Sequence, residues 1–376
     1  MPVSLAPRRA LFAHSPPCAV APVVSLLRHR EMLSPRRYAS HSSSSKSHVR
    51  PSSSAQPASS AAPSTSCTAT TSLADDVNPP PSTRPADLNL PEAIASSASA
   101  AEKLKRYVAM GRAYLSFYKT GLKNVYHNYR ASIPIRSSLG LTPYLPISPP
   151  PPATGGKAAA FRDAVHTRCL SRSNFQLIRR AAYDVRRMIP FTLMLIICGE
   201  FTPLIVLALG SAVTPFTCRV PRQLEKDRTQ SLTRKRAALT AHEVARSGSM
   251  KPLPAGSEPE LDLLAGTYTR PAWIESAPAE EVLRACATLG LAKTHTRSTA
   301  LVSLLYRARL QRYAEYLDLD DRLIRRCGGV TAMDAAEVRI AVEERGGVGV
   351  GEGSEGWDLE REERRWLERW LERREG

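Results

Sequence analysis

IPFTLMLIICGEFTPLIVLALGSA, residues 189–212, is the stretch on which the architecture of this chain turns. Its 24 residues hold one charge, Glu200, and two prolines, Pro190 and Pro203. At about 1.5 Å per residue a straight helix of this length covers roughly 36 Å, enough for a hydrocarbon core of about 30 Å. A buried core helix is the competing reading. Arginines close to both ends, and the lack of another segment able to wrap so uniform a helix, favour a single transmembrane helix over 189–212. An ionised carboxylate near mid-span costs about 2.5–3.5 kcal/mol by insertion scales. Glu200 therefore has two readings: it binds or relays a cation or proton, or it is protonated or paired with a donor in an oligomer contact. Pro203 removes one backbone N–H and frees the Gly199 carbonyl, making the helix more polar there. One helix encloses no pore, so transport requires self-association. Charge leaves orientation open, because Arg172, Arg179, Arg180, Arg186 and Arg187 before the run are nearly matched by Arg219, Arg222, Lys226 and Arg228 after it.

Working outward, the formal net charge of +17 is unevenly spread. Residues 101–188 carry 16 Lys/Arg against 3 Asp/Glu, residues 213–256 carry 9 against 3, and residues 257–376 carry 18 against 23. Basic belts beside an apolar run attract anionic headgroups or nucleic-acid phosphates. Aromatic residues make up only 6% of the 376, which argues against one large globular enzyme. Seven scattered cysteines without a CxxC pair fit a reducing compartment better than a disulfide framework or a zinc site.

The first 74 residues hold eight Lys/Arg and one acid, Glu31. Arginine-rich, serine-rich and acid-poor composition is that of an organelle presequence. Arg36-Arg37-Tyr38-Ala39-Ser40 resembles a matrix processing site, which sets a mitochondrial presequence at 1–38. Residues 39–100 are biased to Ser, Ala and Pro and are expected to be a disordered tether, since little apolar area is available to offset chain entropy.

A basic helical pre-membrane region is expected over 101–188. Leu104, Tyr107, Val108, Tyr114, Leu115, Tyr118, Leu122, Val125, Tyr126 and Tyr129 recur at three- and four-residue spacings, an amphipathic helix with a basic opposite face. SPPPPATGG interrupts, and a second helix is expected from about Lys157 into the apolar run. Residues 213–256 read as a basic connector marked by Pro and Ser. Beyond them, 257–376 reads as four or five short helices. Pro278, Glu280, Glu281 and Gly290 frame one of them; Asp334, in a cap-like pair with Glu337, and Gly346-Gly347 frame another. Leu301, Leu304, Leu305, Ala308, Tyr313 and Leu317 form an apolar face between them, and Leu359, Trp366, Leu367, Trp370 and Leu371 a last one.

No P-loop, GxSxG or HExxH occurs, so no catalytic residue, cofactor or metal ligand is expected. Asp318-Leu319-Asp320-Asp321 fails as a calcium loop, with Leu323 where glycine is needed, and reads as a helix-end charge cluster. Arg307, Arg309, Arg312, Arg322, Arg325 and Arg326 are the densest basic cluster in an otherwise acidic region. They read either as a solvated, salt-bridged face or as a phosphate-backbone contact.

Two stretches resemble the LETM family, the leucine-zipper and EF-hand-containing transmembrane proteins of the mitochondrial inner membrane. LSRSNFQLIRRAAYDVRRMIPFTLMLII followed by GEFTP is similar to the family's membrane signature, with Arg172, Leu177, Arg180, Asp184, Pro190, Phe191, Glu200 and Pro203 in its roles. LLYRARLQRYAEYLDLDDRLIRRCGGVTAMDAAEVRIAVEERG and the closing RRWLERWLE are similar to its ribosome-binding domain. There the pattern is RxRL-xx-H-xx-YL-xx-DD-xx-I, then GG-V, then EL-xx-A-xx-xRG and a final WL. The resemblance covers roughly 101–376 and lacks the EF-hand of longer members. It implies an all-α chain with one transmembrane helix and a C-terminal, 14-3-3-like helical domain in the matrix. The function it implies is non-catalytic binding of mitochondrial ribosomes beside inner-membrane lipids, which supports membrane-coupled insertion and ion homeostasis. The alternative is a homo-oligomeric potassium/proton or calcium/proton exchanger working through Glu200.

Overall fold

Leu170-Ser171 starts the helix around which the others pack. The Ser171 side chain accepts from the Asn174 N–H at 3.3 Å, while Leu170 and Phe175 on either side of this cap are both buried. That pairing fixes where the chain enters the helix. The structure is a computed structural model that describes residues 72–93, 99–144, 146–151, 157–167, 170–198 and 214–375. The described residues contain helices and no strand. The chain is all-α.

In chain order the helices are α1 (Leu73–Val77), α2 (Ala100–Ser138), α3 (Lys157–Thr167), α4 (Arg172–Cys198), α5 (Pro221–Ser247), α6 (Glu258–Leu261), α7 (Pro271–Ser276), α8 (Ala279–Thr288), α9 (Arg307–Arg326), α10 (Ala335–Glu344) and α11 (Gly356–Arg373). The one helix expected from Lys157 onward is two, because the chain turns at Leu170 to place α4 on the core. Ser99 and Glu102 close a capping box that begins α2. Gly290 and Gly346, at φ +70° and +81°, follow the ends of α8 and α10, where a left-handed residue releases the chain.

Two segments depart from expectation. Residues 72–93, assigned to a disordered tether, form an ordered strap. Composition undervalued it because its hydrogen bonds are made to residues far along the chain. Arg172 donates to the Val77 carbonyl, Asn78 donates to the Ala332 carbonyl, and the Asp334 N–H donates to Asn78. Residues 213–256, expected as a connector, contain the 27-residue α5. Its buried face is narrow, Lys235, Ala238, Leu239 and Glu243, and the Lys235 ammonium meets Glu260 at 2.8 Å, so periodicity of apolar residues alone is weak. On α9, Leu305 just ahead of the helix and Ala308 are exposed, while Leu310, Ala314 and Leu317 take the core face. Trp366, Leu367, Trp370 and Leu371 pack as the spacing predicts.

α2 and α4 run antiparallel. Asn128 of α2 bonds Ser82, and the next residue, Thr83, accepts from Arg180 of α4. Seven residues earlier on α2, Gly121 abuts Thr217 and Cys218, next to Phe216, whose N–H donates to Asp184 at 2.6 Å. One core then joins both sides of the apolar run: Phe161, Phe175 and Ile178 before it lie in the same cluster as Tyr268, Leu310, Trp366 and Trp370 after it.

This joint core corrects the expectation of a single crossing. Residues flanking one transmembrane helix would be divided by the bilayer, whereas here they touch. Connectivity gives the same result. Asp184 to Ile189 spans about 7.5 Å of helix and Ala212 to Phe216 at most about 14 Å of chain, too little to close a gap of about 30 Å. Of the run itself, residues 189–198 are the last turns of α4, with Ile189, Leu193, Ile196 and Ile197 exposed. Glu200 and Pro203 lie outside the described residues, as do the presequence and the tether before residue 72. Among the described residues no helix is long and apolar enough to cross a membrane.

The contact between α2 and the turn at 216–218 allows no side chain at Gly121. A Cβ there would stand 2.8 Å from the Cys218 sulfur and 2.9 Å from the Thr217 carbonyl oxygen. Gly121→Ala is expected to destabilise the fold by about 1–3 kcal/mol, read as a lowered thermal midpoint by circular dichroism of the detergent-solubilised chain.

Candidate functional site

The residues that the sequence marks before and after the apolar run converge in a buried ionic network. Arg172 of α4 is fully buried and donates through Nε to Asp320 of α9 at 2.9 Å. One turn on, Gln176 donates to the same Asp320 oxygen at 2.7 Å and to the Tyr316 hydroxyl. Arg180, a further turn along, forms a two-pronged pair with Glu337 of α10, both bonds 2.8 Å. The four-residue spacing 172, 176, 180 puts all three on one stripe of α4.

From the other side Arg345, at the end of α10, reaches Asp320 at 2.8 Å and Asp321 at 2.5 Å. Trp370 and Arg374 complete the shell of Asp321 at 3.2 and 2.8 Å. Arg179 bonds Glu344 at 2.7 Å with its guanidinium 3.4 Å over the Tyr316 ring. Burial by itself would raise the Asp320 carboxyl, but Arg172 and Arg345 outweigh it and hold that group far below the usual range. The network is buried, with Asp320 bracketed by two guanidinium groups.

These contacts revise two sequence readings. Asp320 and Asp321 are no helix-end cluster: they lie inside α9 and are 0% and 1% exposed. Their neighbours Leu317, Leu319, Leu323 and Ile324 are apolar and buried, and that setting was the available signal that the pair faces inward. Glu337 makes no cap with Asp334; its carboxylate is committed to Arg180, and the Asp334 side chain pairs with Arg84 at 3.3 Å.

Of the membrane-signature residues, Arg180 belongs to the network and Asp184 holds the segment that follows the apolar run, accepting from the Phe216 N–H. Burial pushes the Asp184 carboxyl up to about 6, opposed by Phe216, Thr217 and Arg219. Pro190 sits exposed within α4 and Phe191 is buried.

The six-arginine cluster separates into two groups. Arg307 donates to the carbonyls of Glu275 and Ala277 at 2.7 and 2.8 Å, and so caps the end of α7. Arg325 donates to the Leu371 carbonyl, Arg326 to the Leu170 carbonyl at 2.6 Å, and Arg322 pairs with Asp318 one turn back. Arg309 and Arg312 are exposed on one side of α9 with no hydrogen bond or ion pair to a described residue. Three residues apart, they present two adjacent guanidinium groups. Among the described residues no group of His, Cys, Asp or Glu could hold a metal ion.

No protein-family model matches this sequence, and no curated protein or solved structure does either.

Removing one partner of a buried ion pair leaves an unpaired buried charge. Arg172→Ala and Asp320→Ala are each expected to cost about 3–5 kcal/mol. The double variant should fall well short of the sum, read by thermal unfolding through the emission of buried Trp366 and Trp370. Asp184 makes a separate prediction. Its folded carboxyl holds a proton more tightly than the unfolded one, so its contribution is greatest below the unfolded value near 3.8 and declines as pH rises to about 6. Asp184→Asn should flatten that stretch of the curve of thermal midpoint against pH, while the wild type keeps the slope.

Proposed function

We propose that the chain is a membrane-attached, non-catalytic ribosome-binding protein of the mitochondrial inner membrane, related to the LETM family, with its helical body on the matrix side. The observation that carries this reading is the meeting of motif residues far apart in sequence. The membrane-signature residues Arg172 and Arg180 pair with Asp320 and Glu337, which belong to the DD and EL-type motifs of the ribosome-binding pattern; Arg345, of the RG motif, closes the same network. Two separate resemblances thus become one piece of machinery. The 14-3-3-like fold of the C-terminal helices belongs to this proposal.

The same network favours an attachment in which the flanks of the apolar run stay on one face. The last turns of α4 are apolar on their exposed side through Ile189, Leu193, Ile196 and Ile197, a surface suited to lipid. Ribosome contact falls to Arg309 and Arg312, whose guanidinium groups are exposed and make no hydrogen bond or ion pair to a described residue. Arg307 is a structural cap and drops out of the contact.

Two experiments test this reading. Carbonate washing of isolated mitochondria should leave the protein in the membrane pellet, and release into the supernatant would defeat the attachment. In salt-graded co-sedimentation with mitochondrial ribosomes, Arg309→Glu/Arg312→Glu should weaken binding and flatten the salt dependence. The slope should fall by about 0.7–0.9 for each phosphate that the variant no longer neutralises. Binding with an unchanged slope would remove these arginines from the interface.

A further inference from the structure

The first half of α2 is left unexplained by the core. Phe117 is the first buried residue along this helix; over the roughly 25 Å from Ala100 to Ser116 most residues are exposed, with Arg106, Met110, Ala113 and Tyr114 half-buried along one side. Because α2 and α4 run antiparallel, this half of α2 lies at the same end as the apolar tip of α4. Leu104, Val108 and Leu115 fall on one stripe by spacings of four and seven, and Leu115 is 72% exposed. Tyr107 is exposed beside them. Lys105, Arg112 and Lys119 follow on the adjacent face, and residues 100–123 hold six Lys/Arg against Glu102 alone.

We infer that the N-terminal half of α2 lies in the headgroup layer of an anionic bilayer, as a second lipid contact beside the tip of α4. Three features select lipid as the occupant. So many cations exclude the hydrocarbon interior, whereas an apolar stripe of this length is poorly placed in bulk water; the headgroup boundary accommodates both. Tyrosine favours that same depth, where its ring meets the acyl boundary and its hydroxyl meets water. The excess of positive charge complements anionic headgroups, each Lys or Arg near such a surface contributing about 1 kcal/mol. With two contacts at one end, the body as a whole, including the arginines of the proposal, would be held at a set attitude to the membrane. The inference rests on the membrane attachment proposed above.

The test uses the full chain reconstituted in phosphatidylcholine vesicles with and without phosphatidylglycerol, the lipids carrying brominated acyl chains. A Leu115→Trp variant adds one emitter to the native Trp273, Trp357, Trp366 and Trp370, whose quenching in the wild type sets the baseline. Most of the added emission should be lost to bromine in the anionic vesicles, and less of it in phosphatidylcholine alone. Lys105→Glu/Arg112→Glu/Lys119→Glu in the same background should restore emission while resistance to carbonate is unchanged. Added emission that bromine leaves intact, in a chain that still resists carbonate, overturns the inference and spares the attachment; this includes the case in which a second copy or another protein shields the stripe. Release of the wild type by carbonate overturns both. Unchanged quenching in the triple-glutamate variant overturns the role of anionic lipid.

Discussion

The bond between Arg172 and Asp320, two groups with no exposed surface, is the constraint from which the remaining architecture follows. A guanidinium and a carboxylate lose their hydration on burial, and only close, well-directed partners offset that loss. Here they are supplied by elements far apart in sequence: the Val77 carbonyl from the strap, Gln176 from α4, Arg345 from the end of α10. No one of these elements can leave without stranding a charge. The network therefore fixes which helices are neighbours, while the apolar core beneath it supplies most of the driving force for burial.

Topology is decided by the same bond. An apolar run long enough to cross a bilayer ordinarily separates what comes before from what comes after. In this chain those two parts share Phe175, Ile178, Leu310 and Trp370 in one cluster, and Asp184 holds Phe216 within hydrogen-bond distance. The contacts are too short to admit a bilayer between the partners. Hydropathy measures the affinity of a segment for lipid; it carries no information on where the ends of that segment are tied.

Arginine serves three purposes here, distinguished by surroundings alone. Arg172, Arg180 and Arg345 neutralise buried carboxylates. Arg307, Arg325 and Arg326 satisfy carbonyl groups at helix ends and turns, where the broad fork of the guanidinium reaches more than one acceptor or one at a distance. Arg309 and Arg312 face solvent. Density along the sequence brings the last two kinds together in one cluster, and only the packing sorts them.

What the sequence determined by itself was local: the helical character, the glycine stops at Gly290 and Gly346, and the stripe of Trp366, Leu367, Trp370 and Leu371. These depend on neighbours within a turn or two, so spacing and residue type suffice. Tertiary structure alone decided that the strap around Val77 is ordered, that Asp320 and Asp321 face inward, that Glu337 pairs with Arg180, and that both flanks of the apolar run share one core. Each of these depends on a partner far away along the chain, and a charged side chain reads as solvent-exposed until the residue that neutralises it is brought beside it.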